Sequence, residues 1–313
     1  MRIAILSRGK SLHSIRRLLA EARKAGVPCD VIDPLECQLV VDGRESRILL
    51  GNQELPHYDA VLPRIGASIT DFGLAVVRQF EALGMRVVNS SDAIQQSRDK
   101  MRSLQALSRA GLDVPPSVLT RSERGTRSAI AAVRGMPVVM KVLQGTQGVG
   151  VMIVHSQLSM VSVMDAMRSL GQDLILQQFI AEGAGRDFRA FVIGNRVVAA
   201  MVRTAPSGEF RSNIHRGGEG APVRLSAAYE RVAVRAAREL GLQVAGVDLM
   251  ESRGGPLVIE VNSSPGFEGI EKATKLNIAG MIVRHLAATA RKSRKPRSKK
   301  TSRARRRTVR KRT

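Results

Sequence analysis

Cysteine is nearly absent from this 313-residue chain: Cys29 and Cys37 are the two it has. With no CxxC pair and no Cys/His cluster, neither a disulfide framework nor a zinc site is indicated, and both read as core thiols. Long apolar runs are missing too. No stretch approaches the roughly 18 uncharged apolar residues of a membrane span, since even the segment around Met281 is broken by Arg284 and His285. The run from Arg2 to Leu6 is too short for a secretory signal and reads as a first strand. A soluble, cytoplasmic protein with no membrane association is expected. No GxSxG elbow, HExxH helix or GxxxxGKS/T loop occurs, which removes the common hydrolase, zinc-protease and P-loop readings. Acid is missing from the last 23 residues, which carry 14 lysines and arginines and leave +9 of the net +23 for the rest.

What remains is an ordinary globular composition, 43% hydrophobic and 25% charged, long enough for two or three domains. The first ninety residues alternate extended and helical patterns. Strands are expected at 2–6, 29–32, 60–62 and 86–89, with helices at 12–24 and 72–83 and a hairpin insertion around Asp42 and Gly43. This is the signature of an α/β layer with a mainly parallel sheet. One helical pattern runs from Asp92 to Gly111. A small α+β unit follows, with helices at 126–133 and 158–170 and strands at 137–143, 151–154 and 174–180. A third unit opens near Asp187 with a hairpin through Gly194 and Asn195, then a helix from Ala227 to Leu240, a second hairpin, and a last helix to about Ala290. No internal repeat is evident. The boundaries read as 1–95, 96–185, 186–290 and a disordered basic tail, 291–313.

The second hairpin is the most informative segment. In VIEVNSSPG, Glu260 and Asn262 share one strand face while Ile259 and Val261 take the other. The turn ESRGGP puts Asp248 of GVDLM roughly opposite Glu260. The two carboxylates, like charges placed opposite each other, repel unless a cation lies between them, and magnesium suits such oxygen ligands, the Asn262 amide included. Taken alone, the same residues also fit the solvent side of an antiparallel sheet. Pro265 and Gly266 then lead into a helical pattern from Phe267, whose N-terminus is expected to attract anions.

Other segments suit phosphate and carboxylate. Lys141 interrupts the apolar strand MPVVMKVL, where it either snorkels outward or meets an anion. The turn QGTQGVG behind it, with Gly145, Gly148 and Gly150, lets backbone approach phosphates, although a plain hairpin has the same look. An extended edge at Gln178, Phe179 and Ile180 can offer backbone groups to an adenine, and Asp187 can accept from ribose hydroxyls. The rival reading of that segment is a linker followed by an exposed ion pair. In EFRSNIHRGGEG, Arg211, Asn213 and Arg216 share a glycine-containing loop near Arg203, fitted either to bidentate anion recognition or to solvent.

Lys100, Lys141 with its glycine turn, QQFI, DxR, FRSNIHRGG, AGVDLM and VIEVNSSPGFEGIE occur in the order of an ATP-grasp ligase. The last strings, with DAVLPRIG nearer the start, resemble the RimK family, which adds glutamate to the C-terminus of the sixth protein of the small ribosomal subunit. The resemblance spans residues 1 to about 290. It implies an N-terminal parallel-sheet α/β domain, a small α+β lid and a C-terminal α+β domain carrying the metal site, with ATP clamped between the last two. By position, it implies that Lys100 and Lys141 touch ATP phosphates, Gln178 and Phe179 line the adenine pocket, and Asp187 holds the ribose. Arg211, Ser212 and Asn213 would border the nucleotide, and Asp248, Glu260 and Asn262 would hold two magnesium or manganese ions. Gln178 stands where a glutamate is common.

The implied reaction has ATP convert an acceptor carboxylate to an acylphosphate, which the glutamate amine opens. Lys141 would neutralise phosphoryl charge, and Arg189, Arg203 and Arg211 would orient the anionic substrates. The partners implied are L-glutamate and the C-terminus of a small-subunit ribosomal protein, with ribosomal RNA met by the aromatic-free basic tail through phosphate attraction. A merely solubilising tail is the alternative. A homo-oligomer stays open. Two rival functions also stay open: an ATP-grasp ligase making polyglutamate or modifying a small peptide or cofactor, and a non-catalytic RNA-binding ribosome factor.

Overall fold

The computed structural model describes residues 1–43, 45–121, 125–143, 150–212 and 217–293. Gly145 and Gly148, Asn213 and Arg216, and the basic tail beyond Ser293 lie outside the described residues.

The chain opens with β1 (Ile3–Leu6), α1 (His13–Lys24) and β2 (Cys29–Ile32). A satellite antiparallel sheet follows, made of β3 (Cys37–Val41), β4 (Ser46–Leu50) and β5 (Gln53–Glu54). It is the hairpin insertion expected around Asp42. β6 (Ala60–Pro63) then pairs with β1 in parallel, giving the order β2-β1-β6. α1 buries Ile15, Leu18 and Ala22, one stripe at helical spacing. Cys37 is buried and Cys29 partly so; burial pushes their thiols up to about 11 and about 12, as inert core groups require.

After α2 (Thr70–Ala82), the expected strand at 86–89 is reduced to an isolated parallel bridge between Val61 and Val87. The next ladder bond would need an N–H from Pro63, which has none. Asn89 follows, and its side chain, 2% exposed, turns inward to backbone groups of the third unit. The helix expected at 92–111 is two, α3 (Ser91–Arg98) and α4 (Lys100–Arg109), because Asp99 between them accepts from Arg102 N–H and caps the second.

The middle unit contains β7 (Ser117–Leu119), α5 (Thr126–Ala132), β8 (Val138–Val142), β9 (Val151–Val154), α6 (Gln157–Ser169) and β10 (Leu174–Gln178). Its sheet order is β7-β10-β8-β9. The expected extended edge at Gln178 is therefore the end of a central strand, and its N–H is taken by the Pro116 carbonyl at 2.9 Å.

The third unit has β11 (Arg186–Ile193), β12 (Arg196–Thr204), β13 (Glu219–Pro222), α7 (Ala227–Glu239), β14 (Val244–Ser252) and β15 (Gly255–Asn262), in the antiparallel order β13-β12-β11-β14-β15. The expected last helix is again two, α8 (Glu268–Thr274) and α9 (Ile278–Ser293). Lys275 between them is left-handed at φ 60°, and Asn277 caps the second by accepting from Gly280 N–H. α8 starts with Glu268 and Glu271 in its first turn, so the anion-attracting helix start expected after Gly266 already carries acids.

One core cluster joins the first and third units. Ile3, Ile5, Ile15 and Leu62 pack with Phe191, Ile193, Val244, Phe267 and Ile282. The middle unit has its own small core around Val133, Met140, Met160 and Leu176. Asn89 rivets the shared core. Its amide donates to the carbonyls of Val244 (2.7 Å) and Ser263 (2.9 Å), and its Oδ1 accepts from Gln243 N–H (2.7 Å) and Val244 N–H (3.0 Å). Asn89→Ala strands these buried backbone groups, so urea unfolding should show a loss of about 2–4 kcal/mol.

Candidate functional site

The register of the third sheet writes the site. Asp248 on β14 lies opposite Glu260 on β15, as the turn length required, and Arg189 on β11 lies opposite Asp248 from the other side. Arg203 on β12 lies opposite Asp187 on β11. Directly opposed positions interact most strongly in a sheet: Arg203 with Asp187 and Arg189 with Asp248 are opposite in sign, while Asp248 and Glu260 are both acids.

A bulge adjusts this face. Asp248 pairs with Glu260 but Leu249 pairs with Val258, so Ile259 is an extra residue on β15. The simple alternation placed Ile259 on the face of Val261. In the structure Val258 and Val261 enter the core, while Ile259 joins Glu260 in lining a cavity.

The arginines are clamps. Arg189 donates from Nε and Nη2 to the two oxygens of Asp248, and Arg203 Nη2 reaches the same carboxylate at 3.0 Å. Arg203 also grips Asp187 through Nε at 2.6 Å and Nη2 at 2.7 Å, and Ser212 Oγ donates to Asp187 at 2.6 Å. Burial by itself would raise the Asp248 carboxyl, but Arg189 and Arg203 outweigh it and hold it below the usual carboxylate range. Burial would lower the Arg203 guanidinium; Asp248 and Asp187 reverse that and raise it. The exposed ion pair considered for Asp187 is thus a buried network, with Arg203 4% exposed.

The cavity lies between this face and the middle sheet. Lys100, Lys141, Gln178, Phe179, Asp187, Arg203, Arg211, Ser212, Asp248 and Glu260 all line it. Lys141 does not snorkel outward: its Nζ donates to Gln177 Oε1 at 2.6 Å, and Gln177 donates in turn to Ser117 Oγ. Burial pushes the Lys141 amine down to about 8, with the Glu260 charge opposing the shift. Lys100 is also lowered by burial, and it donates to the Leu143 carbonyl. Arg211 pairs with Glu209 and reaches the Val151 carbonyl at 3.4 Å, linking the third unit to β9. Arg189 lies on the charged face beyond the cavity lining, and Asn262 sits beside it on β15, donating through Nδ2 to the Gly246 carbonyl.

Sequence reasoning missed Gln177 and Met250. Gln177 is a buried amide in the apolar strand LILQQ, and that misfit, like the one at Lys141, was the available signal. Met250 lines the cavity two residues beyond Asp248 on the same side of β14; an apolar residue among apolar neighbours gives no such sign.

Among the described residues no group of three or more His, Cys, Asp or Glu forms a metal cluster. The oxygen donors that could hold a hard cation are Asp248, Glu260 and Asn262. Each carboxylate oxygen has two lone pairs, so Asp248 Oδ1, bonded to Arg189 alone, keeps one, and Asn262 keeps its Oδ1. Three oxygens in this state fit magnesium, which draws much of its shell from water and phosphate.

Comparison with known proteins identifies the family. A family model described as the RimK PreATP-grasp domain matches residues 1–94, and one described as the RimK-like ATP-grasp domain matches residues 97–286. A probable alpha-L-glutamate ligase 2 of Shewanella sp. (strain MR-4) is 48% identical over 95% of this chain and 99% of its own. A probable alpha-L-glutamate ligase of Vibrio vulnificus (strain YJ016) is 48% identical over 96% and 99%. Among solved structures, the ATP-grasp ligase PsnB complexed with a minimal precursor superposes with a TM-score of 0.73 at 22% identity, covering 92% of this chain and 98% of PsnB. A RimK domain ATP-grasp protein from Sphaerobacter thermophilus DSM 20745 gives 0.71 at 23%, covering 91% and 99%. The chain belongs to the RimK-like ATP-grasp family of ATP-dependent ligases.

Proposed function

We propose that this enzyme joins the amine of L-glutamate to the C-terminal carboxylate of a glutamate-ended protein of the small ribosomal subunit, using ATP and magnesium and passing through an acylphosphate. The observation that carries the reading is the opposition of two surfaces across one cavity: a floor of Asp248 and Glu260 and a roof bearing Lys141. Glutamate as the amine follows the names of the 48% identical relatives. The ribosomal acceptor rests on the sequence strings and on the 14 basic residues of the last 23.

A carboxylate is a poor acyl donor because oxide is a poor leaving group, and transfer of a phosphoryl group to it removes that obstacle. Asp248, Glu260 and Asn262 would hold up to two magnesium ions, which supply Lewis-acid stabilisation of phosphoryl charge when bound. Lys100 and Lys141 come from two sides of the cavity to meet phosphate oxygens. Gln178 and Phe179, at the end of β10, border the base, with Asp187 and Ser212 toward the ribose. Asp187 Oδ1 keeps one lone pair for a hydroxyl, because its other acceptor capacity there goes to Arg203. Arg189 and Arg203 hold Asp248 charged and aimed, and Arg211 ties the floor to the lid strand β9. Closure of the middle unit would exclude water from the acylphosphate, which would otherwise hydrolyse.

Asp248→Ala and Glu260→Ala should each abolish magnesium-dependent ATP binding, read by titration calorimetry with and without chelator. Incubating the protein with ATP, magnesium, glutamate and the ribosomal acceptor should give a ladder of glutamyl additions at the acceptor's C-terminus by mass spectrometry. A ladder on free glutamate in its place would redirect the assignment to polyglutamate synthesis. A pH dependence follows from Lys141. Phosphate favours its charged form, so affinity for nucleotide is full below about 8 and falls as pH rises through that value. The fall should approach about tenfold per pH unit and be accompanied by proton uptake on binding, and Lys141→Met should flatten it.

A further inference from the structure

Arg64 is the first residue past β6, and its N–H donates to the Leu6 carbonyl at 2.8 Å. It therefore stands at the carboxyl end of the parallel sheet, beside buried Ser7 at the end of β1. Open α/β sheets bind ligands at this end. The Arg64 guanidinium rests over the Phe267 ring, with Cζ 5.8 Å from its centroid. Among the described residues it has no hydrogen bond or ion pair, unlike Arg98, Arg189 and Arg203, whose guanidiniums all meet carbonyls or carboxylates.

A partly buried guanidinium without a partner is unfavourable, and burial pushes this one down to about 10. Contact with an aromatic face uses the flat side of the group. The N–H donors along its edge are the ones suited to a bidentate carboxylate. His13 packs edge-on to the same ring, and its buried Nδ1, without a hydrogen bond, lies 3.9 Å from Glu268 Oε2.

Hydrogen bonds tie the neighbours of Arg64 to two segments that flank the cavity. The carbonyls of Ile65 and Gly66 accept from Arg98, at the end of the helix whose Ser97 lines the cavity just before Lys100. On the other flank, Ser264 Oγ, in the segment after Glu260 and Asn262, lies 3.5 Å from the Pro63 carbonyl at the end of β6. Pro265 and the Arg189 guanidinium both crowd Gly246, where an added Cβ would lie 2.8 Å from Pro265 Cβ and 3.2 Å from Arg189 Nη1.

We propose that Arg64 binds a carboxylate of an acidic substrate, held by its edge donors above Phe267. This rests on the ligase reading, which supplies two sources of such a carboxylate: the incoming glutamate and the glutamate-ended acceptor. The experiment is steady-state kinetics of the full-length protein, R64K and R64Q, with each acidic substrate varied in turn, alongside ADP affinity and the melting midpoint. R64Q should raise KM for one acidic substrate by at least about tenfold, the loss of one charge-assisted contact, with R64K between it and wild type. A rise for glutamate identifies the donor, and a rise for the acceptor peptide identifies the acceptor. ADP affinity and melting should stay unchanged. KM values within about threefold of wild type for both substrates, a loss confined to kcat, or weakened ADP binding or folding in both variants would overturn the assignment. A wild type that binds ATP but joins glutamate to nothing would instead overturn the ligase reading; calorimetric binding of glutamate and of the peptide to the ADP-loaded protein then decides Arg64 separately, by the same tenfold criterion.

Discussion

The buried carboxylate of Asp248, pinned between Arg189 and Arg203, is the constraint on which the active face depends. An ionised group at 4% exposure is costly unless its partners are placed with good geometry. Three strands must therefore hold one register. A slip of one residue in β11 or β12 would turn the guanidiniums toward the opposite core and leave Asp248 alone in the interior. The face can be charged at one end and apolar at the other because the strands continue from Asp187 and Arg189 to Phe191 and Ile193, which enter the core shared with the first unit.

The same network would favour a polyanion in the cavity over a simple anion or a simple cation. Asp187 and Asp248 are already balanced by Arg203 and Arg189, so the groups left to define the field are Lys100, Lys141 and Glu260. Two lysines weakened by burial sit across from a carboxylate that moderates the shift of each. A bare cation at Glu260 would meet both lysines, and a bare anion near the lysines would meet Glu260. A phosphate chain carrying its own metal satisfies both surfaces at once.

Much of this was legible in the chain. The opposition of Asp248 and Glu260 follows from a short turn, and the shared side of Glu260 and Asn262 from the two-residue period of a strand. Lys141 announced itself as a charge in an apolar strand. What stayed hidden has physical reasons. The bulge at Ile259 leaves no periodic trace, because one inserted residue among apolar neighbours looks like any other. The helix breaks at Asp99 and Lys275 fall inside continuous helical patterns, where a capping side chain decides against propensity. Asn89 bonds to backbone groups some 155 residues away, and nothing in the residues beside it indicates that. Arg189 and Arg203 read as substrate cations because the strand pairing that gives them carboxylate partners is a tertiary fact.

The division of the core also assigns the motion. The first and third units share one cluster, fastened further by Asn89 and by the Arg17 contacts to Glu271 and Asn277. The middle unit keeps a separate core and meets the third across the cavity, through contacts such as Arg211 to Val151. Cooperative opening follows such boundaries, since separating units with independent cores exposes little apolar surface. On the proposed function, the middle unit, carrying Lys141, Gln178 and Phe179, would be the part to swing over a nucleotide. Arg64, Asn262 and Asp248 belong to the two units that share a core. A substrate carboxylate held there would be positioned before closure, and closure would bring the phosphate to it.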